Sequence, residues 1–463
     1  TQVVSTLDLS YYPKERGPYN FNSLATNNTM PSGSEPNNWG GIMRSINSTN
    51  FEQSNVEYIQ FWILDPYYNE QGVVENVSNT GKLVFNLGEI SEDVLKDGRK
   101  SYENGLPEAG AVTATNSSVW GVTPASQSLI YAFDTNENNR TVQDVGLNGL
   151  SDQEEAAKYP TVGALPDPAA DNYQFYLNAT GGVLDRYKNY NGTQGNSPVN
   201  VSDTNRGSTT FPDVEDINRD NTMNTINAYY KFEIDITSNP QVGQNYIVDS
   251  RLVDNIPLSD GTQGKSRWIQ YKIPIQELAT NPANAEGPIS DLRSVRFMRM
   301  FLTGFNENIT LRFGALDLVR GEWRRYLGSL DDGSNDVTPE ENTDDSTGFD
   351  VVSVNVQENT NRSPIPYVTP PGVDREQLNN NNTIINQNEQ SLSLRVYDPI
   401  SGSTTDGLQL GDARAVFKNV NVDMRQFKKM RMFLHAEALP NEVAPDALND
   451  DEMVAFIRFG NDF

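Results

Sequence analysis

Cysteine is missing from this chain, and histidine occurs once, at His435. The first absence removes disulfides and thiolate metal sites while leaving the cellular compartment open. The second speaks against a histidine-based triad or a zinc site. Positive charge is also scarce: 35 Lys and Arg stand against 62 Asp and Glu, a net charge of -27. Phosphate binding needs a basic face, so nucleic acid is a poor partner. No apolar run approaches the ~20 residues of a membrane helix, and hydrophobic residues make up 36% of the chain against the ~45–50% usual in globular proteins. Phosphate loops and nucleophile elbows are absent. Transmembrane strands give a weaker signal, but Lys, Arg and Asp recur on alternate faces of the strand-like segments, which suits water better than lipid.

What is present is a repeat. Asp291–Leu302 reads D-L-R-S-V-R-F-M-R-M-F-L, and Asp423–Leu434 reads D-M-R-Q-F-K-K-M-R-M-F-L, with the Asp, the Arg and the whole of MRMFL at the same offsets. RFG follows each time, at Arg312 and at Arg458. A weaker copy lies earlier, where Tyr58–Ile63 has the pattern of Phe297–Leu302 and Leu87-Gly88 stands in the place of Phe313-Gly314. Period-two alternation makes these segments strands, and self-similarity makes them products of internal duplication. The expected fold is mainly β: tandem jelly-roll-like antiparallel sandwiches with a few short helices and long polar loops. MRMFL and RFG are expected to be neighbours in one sheet of each sandwich.

Composition divides the chain further. Residues 1–110 form the first repeat, with strands at Trp39–Ile46, Tyr58–Leu64 and Lys82–Leu87 and a short helix from Ser91 to about Gly98. Residues 111–212 read as a loop-rich insertion with a strand at Ser128–Asp134 and a helix at Ser151, where Glu154 has the capping-box spacing. Residues 213–329 form the second repeat; Ala228–Ile236 and Ile269–Ile275 alternate as half-buried strands. Residues 330–348 are an acidic linker without aromatics. Residues 349–463 form the third repeat, with strands at Phe349–Val356, Ser391–Tyr397, Ala413–Val420, Phe427–His435 and Met453–Phe459. The chain starts and stops in mid-pattern, as an excised piece of a larger protein would.

Two acidic stretches have the oxygen density that calcium requires. One holds Asp213, Glu215, Asp216, Asn218 and Asp220 ahead of the strand at Ala228. The other holds Asp134, Asn136, Asn138, Asp144 and Asn148, with Gly146 and Gly149 for turns. The first lacks the glycine and the distant bidentate Glu of an EF-hand, and both stretches also read as polar turns on a solvated loop. Trp39, Trp62, Trp120, Trp268 and Trp323 suit either a core or a sugar-stacking platform. Carboxylate pairs for glycoside hydrolysis cannot be read from spacing, because the partners come from separate strands.

Several long stretches resemble one family: Y-Y-P-K-E-R-G-P-Y-N, W-G-G-I-M-R, N-F-E-Q-S-N-V-E-Y-I-Q-F-W-I-L-D-P, L-G-E-I-S-E-D-V-L-K-D-G-R, F-P-D-V-E-D-I-N-R-D-N-T, E-N-T-N-R-S-P-I-P-Y-V-T-P-P-G-V and L-H-A-E-A. They are similar to the SprA/Sov proteins, the outer-membrane translocon of the type 9 secretion system and gliding apparatus of Bacteroidota. The resemblance implies a soluble, non-enzymatic part of a very large β-barrel through which folded cargo leaves the cell. It implies as partners the rest of that barrel, PorV-like and plug subunits, and the secreted cargo. Long insertions in bacterial barrels favour the extracellular end. A carbohydrate-binding or adhesin-type sandwich is the alternative that the repeat alone fits equally well.

Overall fold

The computed structural model describes residues 5–17, 29–102 apart from 48 and 53, 114–125 apart from 120, 148–188 apart from 173–175 and 178, and 214–330 apart from 322 and 327–329. It further describes most of 347–397, and 413–418, 425, 427–438, 448–450 and 452–460. The chain forms two compact units, Thr1–Gly321 and Glu322–Phe463.

The first unit is a two-sheet antiparallel sandwich. Its strands are β1 (Thr6–Tyr11), β2 (Trp39–Ser45), β3 (Val56–Leu64) and β4 (Gly81–Glu89), a short pair β5 (Thr115–Ser117) and β6 (Val122–Pro124), then β7 (Ala228–Ile236), β8 (Ile247–Pro257), β9 (Gln263–Pro274), β10 (Ala285–Glu286), β11 (Phe297–Thr303) and β12 (Ile309–Arg320). One sheet has the order β1-β12-β3-β9-β8 and the other β10-β7-β4-β11-β2. Alternation decides which side chains enter the core. Ile59, Phe61 and Ile63 of β3, Phe232 and Ile234 of β7, and Ile269, Tyr271 and Ile273 of β9 are buried, while Lys231, Glu233 and Lys272 lie on outer faces. At the centre the Phe61 ring stands 5.5 Å from Phe85, 5.3 Å from Tyr271 and 5.6 Å from Phe313. Burying each such ring is worth roughly 1.5–3 kcal/mol.

The segments expected to be separate first and second repeats therefore build one sandwich. Neither has enough inward-facing strands to close a core alone, and each supplies strands to both sheets. MRMFL and RFG are not neighbours either. β11 and β12 lie in opposite sheets, joined by a turn at Gly304, whose φ of 83° is left-handed. Phe305 plugs that turn, fully buried, over Gly81, where a Cβ would come within 2.5 Å of the ring. The MRMFL strand β11 pairs instead with β4, the Leu87-Gly88 strand, and the RFG strand β12 pairs with β3, the Tyr58–Ile63 strand. Each copy completes the other: in both sheets an RFG-type strand of one copy lies against an MRMFL-type strand of the other.

A buried polar corner locks this arrangement. Asp65, at the end of β3, accepts from Arg267 Nε at 2.6 Å and from the Tyr67 backbone N–H at 2.9 Å. The Tyr67 hydroxyl lies 2.7 Å from the Asn79 carbonyl and 3.0 Å from that of Ile236. Asn79 in turn accepts from the N–H groups of Asn306 and Glu307, at 3.0 and 2.9 Å, which fixes the β11–β12 turn.

Elsewhere the sequence expectations fare unevenly. The helix at Asp152–Lys158 forms, with Glu154 accepting the Ser151 N–H at 2.9 Å. The helix expected from Ser91 does not: Glu92 accepts from the distant Ile217 and Asn224 N–H groups, and Asp93 folds the segment on itself by accepting from the Asp97 and Gly98 N–H groups. β8 carried no sequence signal: it is an exposed edge strand of mixed polarity. The strand expected at Ser128–Asp134 and most of the acidic linker lie outside the described residues.

In the second unit, β13 (Arg324–Arg325) pairs with β18 (Val416–Phe417), β14 (Gly348–Asn355) with β17 (Gln390–Tyr397), and β15 (Gln377–Asn380) with β16 (Thr383–Asn386). The β13 pairing assigns residues after Gly321 to this unit, eight before the expected linker. Of the expected strand Ala413–Val420, Val416–Phe417 is paired. The expected strands at Phe427–His435 and Met453–Phe459 carry no strand pairing among the described residues, and their apolar side chains are exposed.

Candidate functional site

The acidic residues ahead of β7 meet the loop after β4 in a reciprocal clamp. Glu215, 2% exposed, accepts the Leu95 N–H at 2.9 Å with one oxygen and the Ser101 N–H at 2.8 Å with the other. Glu92, 1% exposed, reaches the opposite way and accepts from Ile217 N at 2.6 Å and Asn224 N at 3.0 Å. Each segment thus satisfies the other's backbone donors through a carboxylate. Backbone bonds from Glu215 N to Ser101 O, 3.0 Å, and from Glu92 N to Asn224 O, 2.7 Å, run alongside.

Burial sets the electrostatics. It pushes the Glu215 carboxyl up to about 7, and it also raises Glu92, although backbone N–H groups hold both toward the charged form. Asp216 is buried and accepts from Lys100 Nζ at 2.7 Å and from Asp220 N at 3.0 Å. Asn218 also accepts from Asp220 N, and Asp220 accepts from Thr222 N and its hydroxyl, which lowers the Asp220 carboxyl. Arg219 and Asn221, at φ 57° and 69°, turn the chain between them. Among the five residues expected to serve calcium, Asp213 lies outside the described residues, and the other four have carboxylate or amide oxygens engaged by N–H and O–H donors. A cation arriving here would have to displace those donors.

Of the second expected set, Asp134, Asn136, Asn138 and Asp144 lie outside the described residues. Asn148 is buried; its amide donates to Glu155, and its oxygen accepts the Leu150 N–H at 2.9 Å. Glu155 is fully buried and accepts Ala169 N at 2.9 Å. With Asp152 and Asp167 it forms a group whose carboxylate oxygens lie within 4.8 Å of one another. Burial lowers the Arg16 guanidinium, while the charges of Asp167, Glu155 and Asp171 hold it up, so a cation from the N-terminal segment already faces the group. Sequence reading missed Glu92 and Lys100 as clamp members and Glu155 and Asp167 as neighbours. The first pair is 116 to 132 residues from its partners, and no local pattern carries such a contact.

The tryptophans divide. Trp39 is exposed on the edge strand β2, edge-on to Phe301 at 5.8 Å. Trp62 and Trp268 are half-buried on the outer face of their sheet, where a Cβ at Gly314 would stand 3.4 Å from the Trp268 ring. Trp323 is half-buried, and Trp120 lies outside the described residues.

Together these features define a β-sandwich protein whose long loops are tied to one another by buried carboxylates. The sequence profile of the SprA_N family, described as motility related/secretion protein, matches residues 147–463, and the chain belongs to that family. No curated protein matches the chain. Among the described residues no helix is long and apolar enough to cross a membrane.

Proposed function

We propose that the chain is a soluble, non-enzymatic portion of the type 9 outer-membrane translocon that shapes the mouth of the pore on the extracellular side and takes part in export of folded cargo and in gliding. The observation that carries this reading is the family match, which spans both MRMFL copies and places the chain among motility-related and secretion proteins. The motifs at Tyr11–Asn20 and Asn50–Pro66 extend the likeness to the N-terminal strands. Two physical features support it. Carboxylate clamps hold long loops in fixed positions, as a rim contacting other subunits needs. The net charge of -27 opposes nonspecific adhesion of passing chains. The rest of the barrel, PorV-like and plug subunits, and cargo are the partners on this reading.

Deleting residues 213–463 from the parent protein, with barrel assembly verified, is expected to abolish or deregulate secretion and gliding. Normal export in that strain would overturn the proposal. One observation favours a second reading: Trp62 and Trp268 flank the bare backbone of Gly314, a surface on which a sugar ring could stack. Tight, specific oligosaccharide binding lost on Trp268→Ala would move the function to carbohydrate recognition.

A further inference from the structure

The sandwich of the first unit shows what an MRMFL/RFG hairpin requires. β11 is sandwiched edge to edge between β4 and β2, and β12 between β1 and β3. Met300, Leu302, Leu311 and Phe313 are consequently no more than 2% exposed. Among the described residues the third copy repeats the sequence without those surroundings. Met432 and Leu434, in the places of Met300 and Leu302, are 54% and 70% exposed, and Phe459, in the place of Phe313, is 57% exposed. Residues 430–434 carry no strand pairing among the described residues. Apolar side chains on an unpaired strand form a template for another strand.

The repeat itself specifies the missing partner. In the first unit an MRMFL-type strand is covered by an RFG-type strand from a different copy. The register there is Leu302 opposite Leu83, Phe301 opposite Val84, Met300 opposite Phe85, Arg299 opposite Asn86 and Met298 opposite Leu87. Arg299 Nε donates to Asn86 Oδ1 at 2.9 Å, so the pairing is read by a polar contact as well as by apolar ones. The two copies that pair are divergent: one supplies Phe-Asn-Leu-Gly and the other Met-Arg-Met-Phe-Leu.

We propose that residues 427–434 and 453–460 are the acceptor half of a second reciprocal sandwich, completed by a hairpin of the first copy's type. Its covering strand carries the pattern Leu-Val-Phe-Asn-Leu, antiparallel, with Leu opposite Leu434, Phe opposite Met432 and an amide oxygen opposite Arg431. The strand on the other edge carries glycine opposite Phe433, as β2 does at Gly41, where a Cβ would come within 2.4 Å of the Phe301 Cβ. This inference rests on the internal repeat and holds whether or not the chain belongs to a secretion pore.

The test uses the full chain and a synthetic strand with the sequence of Asn79–Ile90, followed by hydrogen exchange of the amides at 428–434. Saturating peptide is expected to slow their exchange at least tenfold, with no effect from a scrambled peptide or in the double variant Met432→Asp with Leu434→Asp. Both substituted side chains are solvent-exposed, so this variant keeps its fold. Three results would overturn the proposal: no slowing, equal slowing by the scrambled peptide or in the variant, or a chain that is dimeric by light scattering and protected at 430–434 without peptide. The last would make a second copy of the chain the occupant.

Discussion

The same five residues, MRMFL, occur twice in this protein and live in two different worlds. At Met298–Leu302 they form a strand with neighbours on both edges and an opposing sheet over one face; at Met430–Leu434 they are open to solvent, with no strand pairing among the described residues. Local sequence is the same in both, so propensity is the same, and the difference is entirely tertiary. A strand of this kind is stabilised by what is laid against it. In the first unit that cover comes from a hairpin more than 200 residues away in sequence, since Leu302 stands opposite Leu83.

The comparison is broken most forcefully by equal substitutions at equivalent positions. Met300→Asp with Leu302→Asp places two charges in a core with no partner and should abolish cooperative unfolding of the first unit, a loss of more than about 5 kcal/mol. Met432→Asp with Leu434→Asp should change the stability of the first unit by less than about 0.5 kcal/mol. Circular dichroism melts of the two variants decide it. Equal melting temperatures would mean that the two copies share one environment.

The corner that locks the interleaved copies sharpens the comparison next. Asp65→Ala leaves the Arg267 guanidinium without its carboxylate and should cost about 3–5 kcal/mol in denaturant unfolding. Asp65 has no counterpart in the third copy, where the equivalent position, two after Leu434, is Ala436.

The carboxylate clamp predicts a pH dependence. Glu215 holds its proton to about 7 in the fold, above its ordinary value of 4.5. The folded state therefore binds a proton that the unfolded chain releases. Stability from this group is complete below pH 4.5 and is lost as pH rises through about 7, by roughly 3 kcal/mol in total. Glu92, also raised, acts with the same sign. Melts of wild type and Glu215→Gln from pH 4.5 to 8 should diverge, the wild type falling more steeply; parallel curves would contradict the buried proton. Gly41→Ala should cost about 1–3 kcal/mol, because β2 approaches Phe301 too closely for a side chain.

These expectations show where sequence was enough. Alternation in Ala228–Ile236 and Ile269–Ile275 named the right strands and the right inward faces, because a half-buried strand writes its burial into every second residue. The likeness of Tyr58–Ile63 to Phe297–Leu302 located the two copies that meet. Which strand meets which was not legible. Period-two patterns say that a face is covered and not by what, so MRMFL and RFG of one copy were assigned to one sheet when the turn at Gly304 carries the chain to the other. The acidic stretch at 213–220 was legible as oxygen-rich. That Glu215 and Asp216 would be turned toward Leu95, Lys100 and Ser101 depends on a loop more than 100 residues earlier. β8 was silent because an exposed edge strand needs no alternation.

Hydrogen exchange on the unmodified chain, without added peptide, reads both copies in one molecule. Amides of Met298–Leu302, bonded on both edges, should exchange only with opening of the sandwich, at least 10³-fold more slowly than those of Met430–Leu434, which should exchange within about tenfold of an unstructured peptide. Comparable protection at the two sites would contradict the claim that one repeat is clad and the other bare.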